Sequence, residues 1–247
     1  MKERLFDPAH VPADVVSPSG VAEVNAVVER LRAYLVDLVE LQEPVSRFRV
    51  SNMTRVYSQS HLRRSLQLIE AANRLVYAGQ GLAALMLVRS LYETVANYVA
   101  ISNQLVELIE AEAPLQEIHD FIRGRTFATR SERLIKIAGS DEVKPTNILT
   151  QVKKMNRLRG AFEQEYEYLC EHTHPNAFGA TLYFIDPRHQ GDVHVFTALG
   201  HDPKEDLKWV LVGGHILVHF ADAMDRLGAL LPALSERGRL EAPKLPG

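Results

Sequence analysis

Arg89 and Glu93 stand four residues apart in GLAALMLVRSLYETVANYVAIS, residues 81–102, and are the only formal charges in it. At about 100° per residue they share one helical face, with Asn97 about 40° further round. Leu82, Leu85, Met86, Ala96 and Ala100 flank them, and Leu87, Leu91, Val95 and Tyr98 cover the opposite side. A helix apolar all round is buried, so the pair is expected to be buried too. Burial costs several kcal/mol per ion unless the charges are paired. Two roles fit: an ion pair that locks neighbouring helices, or the polar lining of a functional pocket.

A second group lies in YEYLCEHTHPN, residues 166–176. Tyr166, Cys170 and Thr173 project to one side at helical spacing, and His172 points nearly opposite. His174, just before Pro175, can turn towards the Tyr166 face. Histidine suits proton transfer near neutral pH, and a tyrosine can donate to a developing anion. The structural alternative has Tyr166 and His174 capping the helix and satisfying buried carbonyls. The candidate catalytic cluster is therefore Arg89, Glu93, Tyr166 and His174.

His215 and His219, in WVLVGGHILVHF, have the spacing of helical zinc pairs, and Asp222 and Arg226 continue their stripe. Position 216 is Ile, where a metalloprotease HExxH carries Glu. No cofactor is predicted; a divalent metal here would need a third ligand, such as His174 or Glu93, brought in by the fold.

The total charge of −3 hides an asymmetry. Residues 123–159 hold ten basic side chains against Glu132, Asp141 and Glu142, a local net of +7 that leaves −10 for the rest. Arg123, Arg125, Arg130, Lys153, Lys154 and Arg157 are the candidate contacts for RNA or a phosphate-bearing ligand. Only Phe127 interleaves with them, which argues against base stacking. The alternative is a solvated face paired with Glu163, Glu165, Glu167 and Glu171. No Walker or Rossmann phosphate loop occurs.

RSLYE (residues 89–93) and the later YEYLCEHTHPN together resemble a family of uncharacterised bacterial helical proteins, catalogued as a domain of unknown function. Arg89, Ser90, Leu91 and Glu93 match its first motif, and Tyr166, Leu169, Cys170 and His174 its second. The resemblance spans roughly residues 55–225. It implies a helical fold akin to the small helical nuclease superfamily abbreviated HEPN, and no known reaction. The Arg-x(4–6)-His pattern that those nucleases carry on a helix falls within a predicted helix here only as Arg55 and His61, a spacing expected by chance in a chain with 10 His. An RNA-directed hydrolase of the phage-defence kind would use His174 as acid/base and Arg89 on phosphate. A metal-dependent hydrolase is the other enzymatic alternative. The reading adopted is a helical protein whose polar cluster is structural or binds a small ligand.

These side chains need a scaffold. With 247 residues, 46% hydrophobic and 24% charged, the composition is that of a folded globular protein. The single cysteine, Cys170, excludes an internal disulfide framework. No apolar run reaches membrane-spanning length and MKERLFDPAH has no signal-type core, so a cytoplasmic chain without membrane contact is expected. A dimer is compatible with all of this.

Residues 1–20, with Pro8, Pro12 and Pro18, read as an extended arm. Periodicity predicts helices over about 21–41, 54–77, 82–109 and 115–138, the last with a break at Gly124. A fifth follows Pro145, capped by Thr146, and runs to about 171; a sixth, capped by Asp202, runs to about 235. Thr181–Ile185 and Val193–Thr197 flank DPRHQGD and predict a β-hairpin within about 180–198. Residues 238–247 read as a loose tail. The expectation is a mainly α single domain over 21–237: a bundle of about six helices with one β-hairpin before the last.

Overall fold

The computed structural model describes residues 4–39, 50–138, 143, 145–186, 195–197 and 202–240. Ser17 opens α1 (Pro18–Ala33), its hydroxyl accepting from Gly20 N while Pro18 presets the first turn. α2 (Val50–Tyr77) and α3 (Gly81–Glu110) form a long helical hairpin. Its three-residue turn includes Gly79 at φ 73°, a conformation that favours glycine. α4 (Leu115–Thr126), α5 (Glu132–Ala138), α6 (Ile148–Leu158) and α7 (Phe162–Thr173) follow, then α8 (Pro203–His215) and α9 (Leu217–Leu240).

α3 is the hub. It packs against α2, α4, α6, α7, α8 and α9. The chemistry is direct: Leu85, Val88, Leu91, Tyr92, Val95 and Tyr98 are all fully buried, so apolar surface leaves water on several sides of one helix. Tyr98 stacks on Phe220 of α9 with ring centroids 4.0 Å apart. Two glycines let α8 come close. A Cβ on Gly213 would lie 2.9 Å from Val88 of α3, and one on Gly214 would lie 2.4 Å from Val24 of α1.

At the start of α3, Gln80 gives no side-chain cap. The buried carboxylate of Asp206 from α8 sits there instead, accepting from the Tyr183 hydroxyl at 2.7 Å. A Cβ on Gly81 would meet Asp206 Oδ2 at 1.9 Å, so only glycine admits this carboxylate to the positive end of the helix.

The mainly helical expectation holds, and its details change. Nine α-helices stand among the described residues where six were expected. The fourth predicted helix splits at 127–131, with Gly124 inside α4. The fifth splits at 159–161, and the last at Ile216. Asn147, not Thr146, caps α6 through its bond from Leu149 N. Asp202 caps α8 as expected, accepting from Lys204 N at 2.9 Å.

The β-hairpin is not supported. Residues 177–181 form one π turn and 182–184 one 3₁₀ turn. The β pairing among the described residues is an isolated antiparallel bridge, Ile185 to Phe196. The turn DPRHQGD, from residue 187 on, and His189, His194 and His201 lie outside the described residues. Of the tail, residues 238–240 complete α9, and 241–247 lie outside.

The N-terminal arm is part of the fold. Leu5, Phe6 and Val11 are buried in the common core. Phe6 N donates to Asn25 Oδ1 at 2.9 Å, Asn25 Nδ2 returns a bond to Phe6 O, and Asn73 Nδ2 donates to Leu5 O.

Candidate functional site

Arg89 and Glu93 share a face of α3 as their spacing predicts, with Arg89 Nε 3.5 Å from Glu93 Oε1. They are not sealed: their side chains are 26% and 35% exposed. Exposed Met86 and half-buried Ser90 and Asn97 open this side of the helix, so the expected burial of the pair is corrected. Tyr166 of α7 does reach them. Its hydroxyl donates to Glu93 Oε1 at 2.9 Å, and Arg89 Cζ lies 5.9 Å from its ring centroid. Arg89 Nη1 donates to Thr173 at 3.4 Å, while its buried Nε has no hydrogen-bond partner.

His174 does not join the cluster. It is the C-cap of α7, with its backbone N–H on Cys170 O and its ring exposed. Its extended backbone, with φ −77° and ψ 148°, carries the chain away from the helix. Burial raises the Tyr166 pKa and the Glu93 hydrogen bond raises it further, so the hydroxyl remains a donor. Burial also pushes the Cys170 thiol up, against any role as a thiolate nucleophile. A carboxylate, a guanidinium and a protonated phenol hold each other here, without the acid/base histidine that a hydrolase would use.

Beside it lies an arrangement that spacing did not reveal. Tyr92 of α3 donates to Glu165 Oε2 of α7 at 2.8 Å, and Arg159 Nη2 donates to Glu165 Oε1 at 2.6 Å. The two groups are reciprocal: in one α3 supplies the carboxylate and α7 the tyrosine, and in the other the roles are exchanged. Arg159–Glu165 is also the pairing of basic block and acidic run that the solvated-face alternative required.

His215 and His219 fall on either side of the one-residue break at Ile216, the first ending α8 and the second in α9. His215 Nε2 would lie 3.7 Å from a Cβ on Gly20 of α1. Burial lowers the pKa of both, and the Arg159 charge lowers them further. Among the described residues no three His, Cys, Asp or Glu side chains are placed to hold a metal ion. Asp222 pairs with Arg30 of α1 at 2.9 Å, and Arg226 with Asn103.

The basic candidates are divided between α4 and α6, with Arg130 between α4 and α5. Arg123, Arg130, Lys153 and Arg157 are exposed, Arg125 and Lys154 half-buried. Arg125 lies over the Phe121 ring at 5.3 Å, in a groove shared with Glu117 and Asp120. Lys154 and Arg157 share a groove with Glu107. Acid groups thus interrupt both grooves, where a phosphate track would be uniformly positive.

A further cleft draws together residues that the sequence reading did not group as a site. A cleft of about 850 Å³ opens between α2, α9 and the segment after α1. Asn52, Arg55 and Ser58 line it from α2, Met224, Leu227 and Leu231 from α9. Val36, Leu38 and Val39 form the third wall. Gln59 holds that wall in place, donating to Tyr34 O at 2.7 Å and accepting from Val36 N at 3.3 Å. Gly228 of α9 faces the cleft, and a Cβ there would meet nothing within 4 Å. The one signal for this site was polar Asn52 and Arg55, three apart on a helix. Arg55 and His61 themselves diverge: Arg55 faces the cleft, while His61 contacts Tyr57 and Asn97.

Compared with known protein families, with curated proteins and with solved structures, the chain matches none.

Proposed function

We propose that the protein is a helical small-ligand-binding protein, with the Arg89–Glu93–Tyr166 group serving as a clamp between α3 and α7. The observation that carries this reading is the cleft itself. Its volume of about 850 Å³ lies in the range of small-molecule sites, which are typically about 300–1,000 Å³, and its walls combine apolar side chains with several convergent polar ones. A catalytic reading of the Arg89 group is less well supported, because its acceptor is taken by Tyr166 and its proposed acid/base stands outside. RNA hydrolysis, suggested by the basic block together with the HEPN-like look, lacks an unbroken cationic track.

The test uses an uncharged fluorescent probe, N-phenyl-1-naphthylamine. Its emission is expected to rise on binding the wild-type protein and to stay low with Gly228→Leu, whose side chain enters the open cleft. An equal response from both proteins sinks the cleft as the ligand site. Tight retention of RNA at physiological salt, weakening steeply as salt rises, favours the basic side chains instead.

A further inference from the structure

The charges around the cleft do not cancel. Asp225 faces it but is saturated: Arg30 Nη2 and the Tyr34 hydroxyl both donate to its carboxylate. Arg55 makes no ion pair with any described residue, so an exposed positive charge stands at a cleft of mixed polar and apolar lining. One turn earlier on the same face, Asn52 is only 6% exposed and lines the cleft. Ser58, one turn on, accepts from the Tyr98 hydroxyl at 3.0 Å and keeps its own proton to donate. Positions 52, 55 and 58 thus present an amide, a guanidinium and a hydroxyl along one stripe of α2.

Across the cleft the chemistry changes. Met224, Leu227 and Leu231 lie along one side of α9, and Leu38 and Val36 stand exposed on the rim. The site is therefore polar and cationic along α2, and apart from Asp225 largely apolar along α9 and residues 36–39. We propose that the cleft binds an amphipathic monocarboxylate, with its carboxylate on Arg55, Asn52 and Ser58 and its apolar chain or ring against α9 and residues 36–39. This rests on the small-ligand reading above and adds the ligand class. Arginine suits the task because its planar fork matches two carboxylate oxygens, and the surrounding apolar walls weaken competition from water.

The experiment compares decanoate with decanol by calorimetry and by displacement of the uncharged dye. Decanoate is expected to bind the wild-type protein about tenfold or more tightly than decanol, as one charge-assisted contact implies. Arg55→Ala is expected to remove that preference, weakening decanoate far more than decanol or dye, and Arg55→Lys to restore part of it. Asn52→Ala is expected to weaken decanoate more than decanol. Gly228→Leu should weaken all three. Because Arg55 is exposed and unpaired, its replacement leaves the fold intact, which an unchanged melting temperature verifies. Equal binding of decanoate and decanol, with the dye still bound, overturns the carboxylate inference and spares the cleft. Tighter binding of decylamine than decanoate also overturns it and assigns the head group to Asp225. Failure of the dye itself overturns the cleft reading.

Discussion

Glu93 takes the Tyr166 proton donor and Arg89 leans on Thr173, so the energetic weight of this group lies in a few individual bonds. A sealed ion pair would lose about 3–5 kcal/mol when one partner is removed, whereas exposed pairs are worth about 0–1 kcal/mol. With side chains 26% and 35% exposed and a 3.5 Å separation, Arg89→Ala is expected to cost about 1 kcal/mol in urea unfolding. Tyr166→Phe is expected to cost about 0.5–1.5 kcal/mol. A loss of 3 kcal/mol or more for Arg89→Ala contradicts the open geometry. His61 carries a different prediction. Its Nδ1 lies 3.0 Å from Tyr57 O and its Nε2 3.4 Å from Asn97 Nδ2, contacts that a neutral ring satisfies. Burial, and then the Arg64 charge, push its pKa below the usual histidine value. The unfolded chain therefore takes up a proton at a higher pH than the folded one. Stability is full above about pH 6.5 and falls as pH drops from there towards the lowered folded value. Melting curves from pH 7.5 to 5 are expected to show this loss. His61→Phe, which keeps a ring between Tyr57 and Tyr98, is expected to flatten it; an unchanged slope rejects the assignment.

At the scale of elements, helix contacts turn on single glycines. Gly214→Ala puts a methyl 2.4 Å from Val24 Cγ1, whereas Gly228→Ala meets nothing within 4 Å. The same substitution is thus expected to lower stability by about 1–3 kcal/mol at 214 and to raise it by up to about 1 kcal/mol at 228. Thermal unfolding checks this, and shifts of the same sign would refute the α1–α8 packing. Helix cores were legible in the sequence because apolar spacing dictates them: α2 and α3 end within a few residues of expectation. The breaks were not. Ile216 interrupts the last helix with no proline beside it, and the predicted fifth helix parts at Arg159–Ala161, where Gly160 is the one local cue. Tertiary packing decides such interruptions. The β-hairpin failed for a related reason: Thr181–Ile185 has strand-like composition, yet the chain there makes local turns and buries Tyr183 against Asp206. The Arg89–Glu93 pair was visible because both residues lie on one helix. Its link to Tyr166 follows from packing 73 residues apart, and His174 was misplaced because its backbone leaves the helix. The cleft joins residues 36–59 to 224–231, a juxtaposition that no local spacing encodes.

For the whole molecule, one hydrophobic core runs from Leu5 to Leu234. Phe6 is 0% exposed within it, although it precedes the first helix. Phe6→Ala is expected to cost about 3–5 kcal/mol and to lower the midpoint of a single unfolding transition. A separate early transition, or no loss, would show the N-terminal segment to be peripheral. The reciprocal tyrosine–carboxylate pairs have a mechanical consequence. One hydrogen bond between two rods leaves each free to pivot about it. Tyr92 and Glu93 are neighbours on α3, and Glu165 and Tyr166 are neighbours on α7. Consecutive residues point about 100° apart, so the two bonds restrain both sliding and spinning of α7. Neither bond is individually strong. Together they act as a two-pin key, fixing where α7 sits more than how tightly it is held.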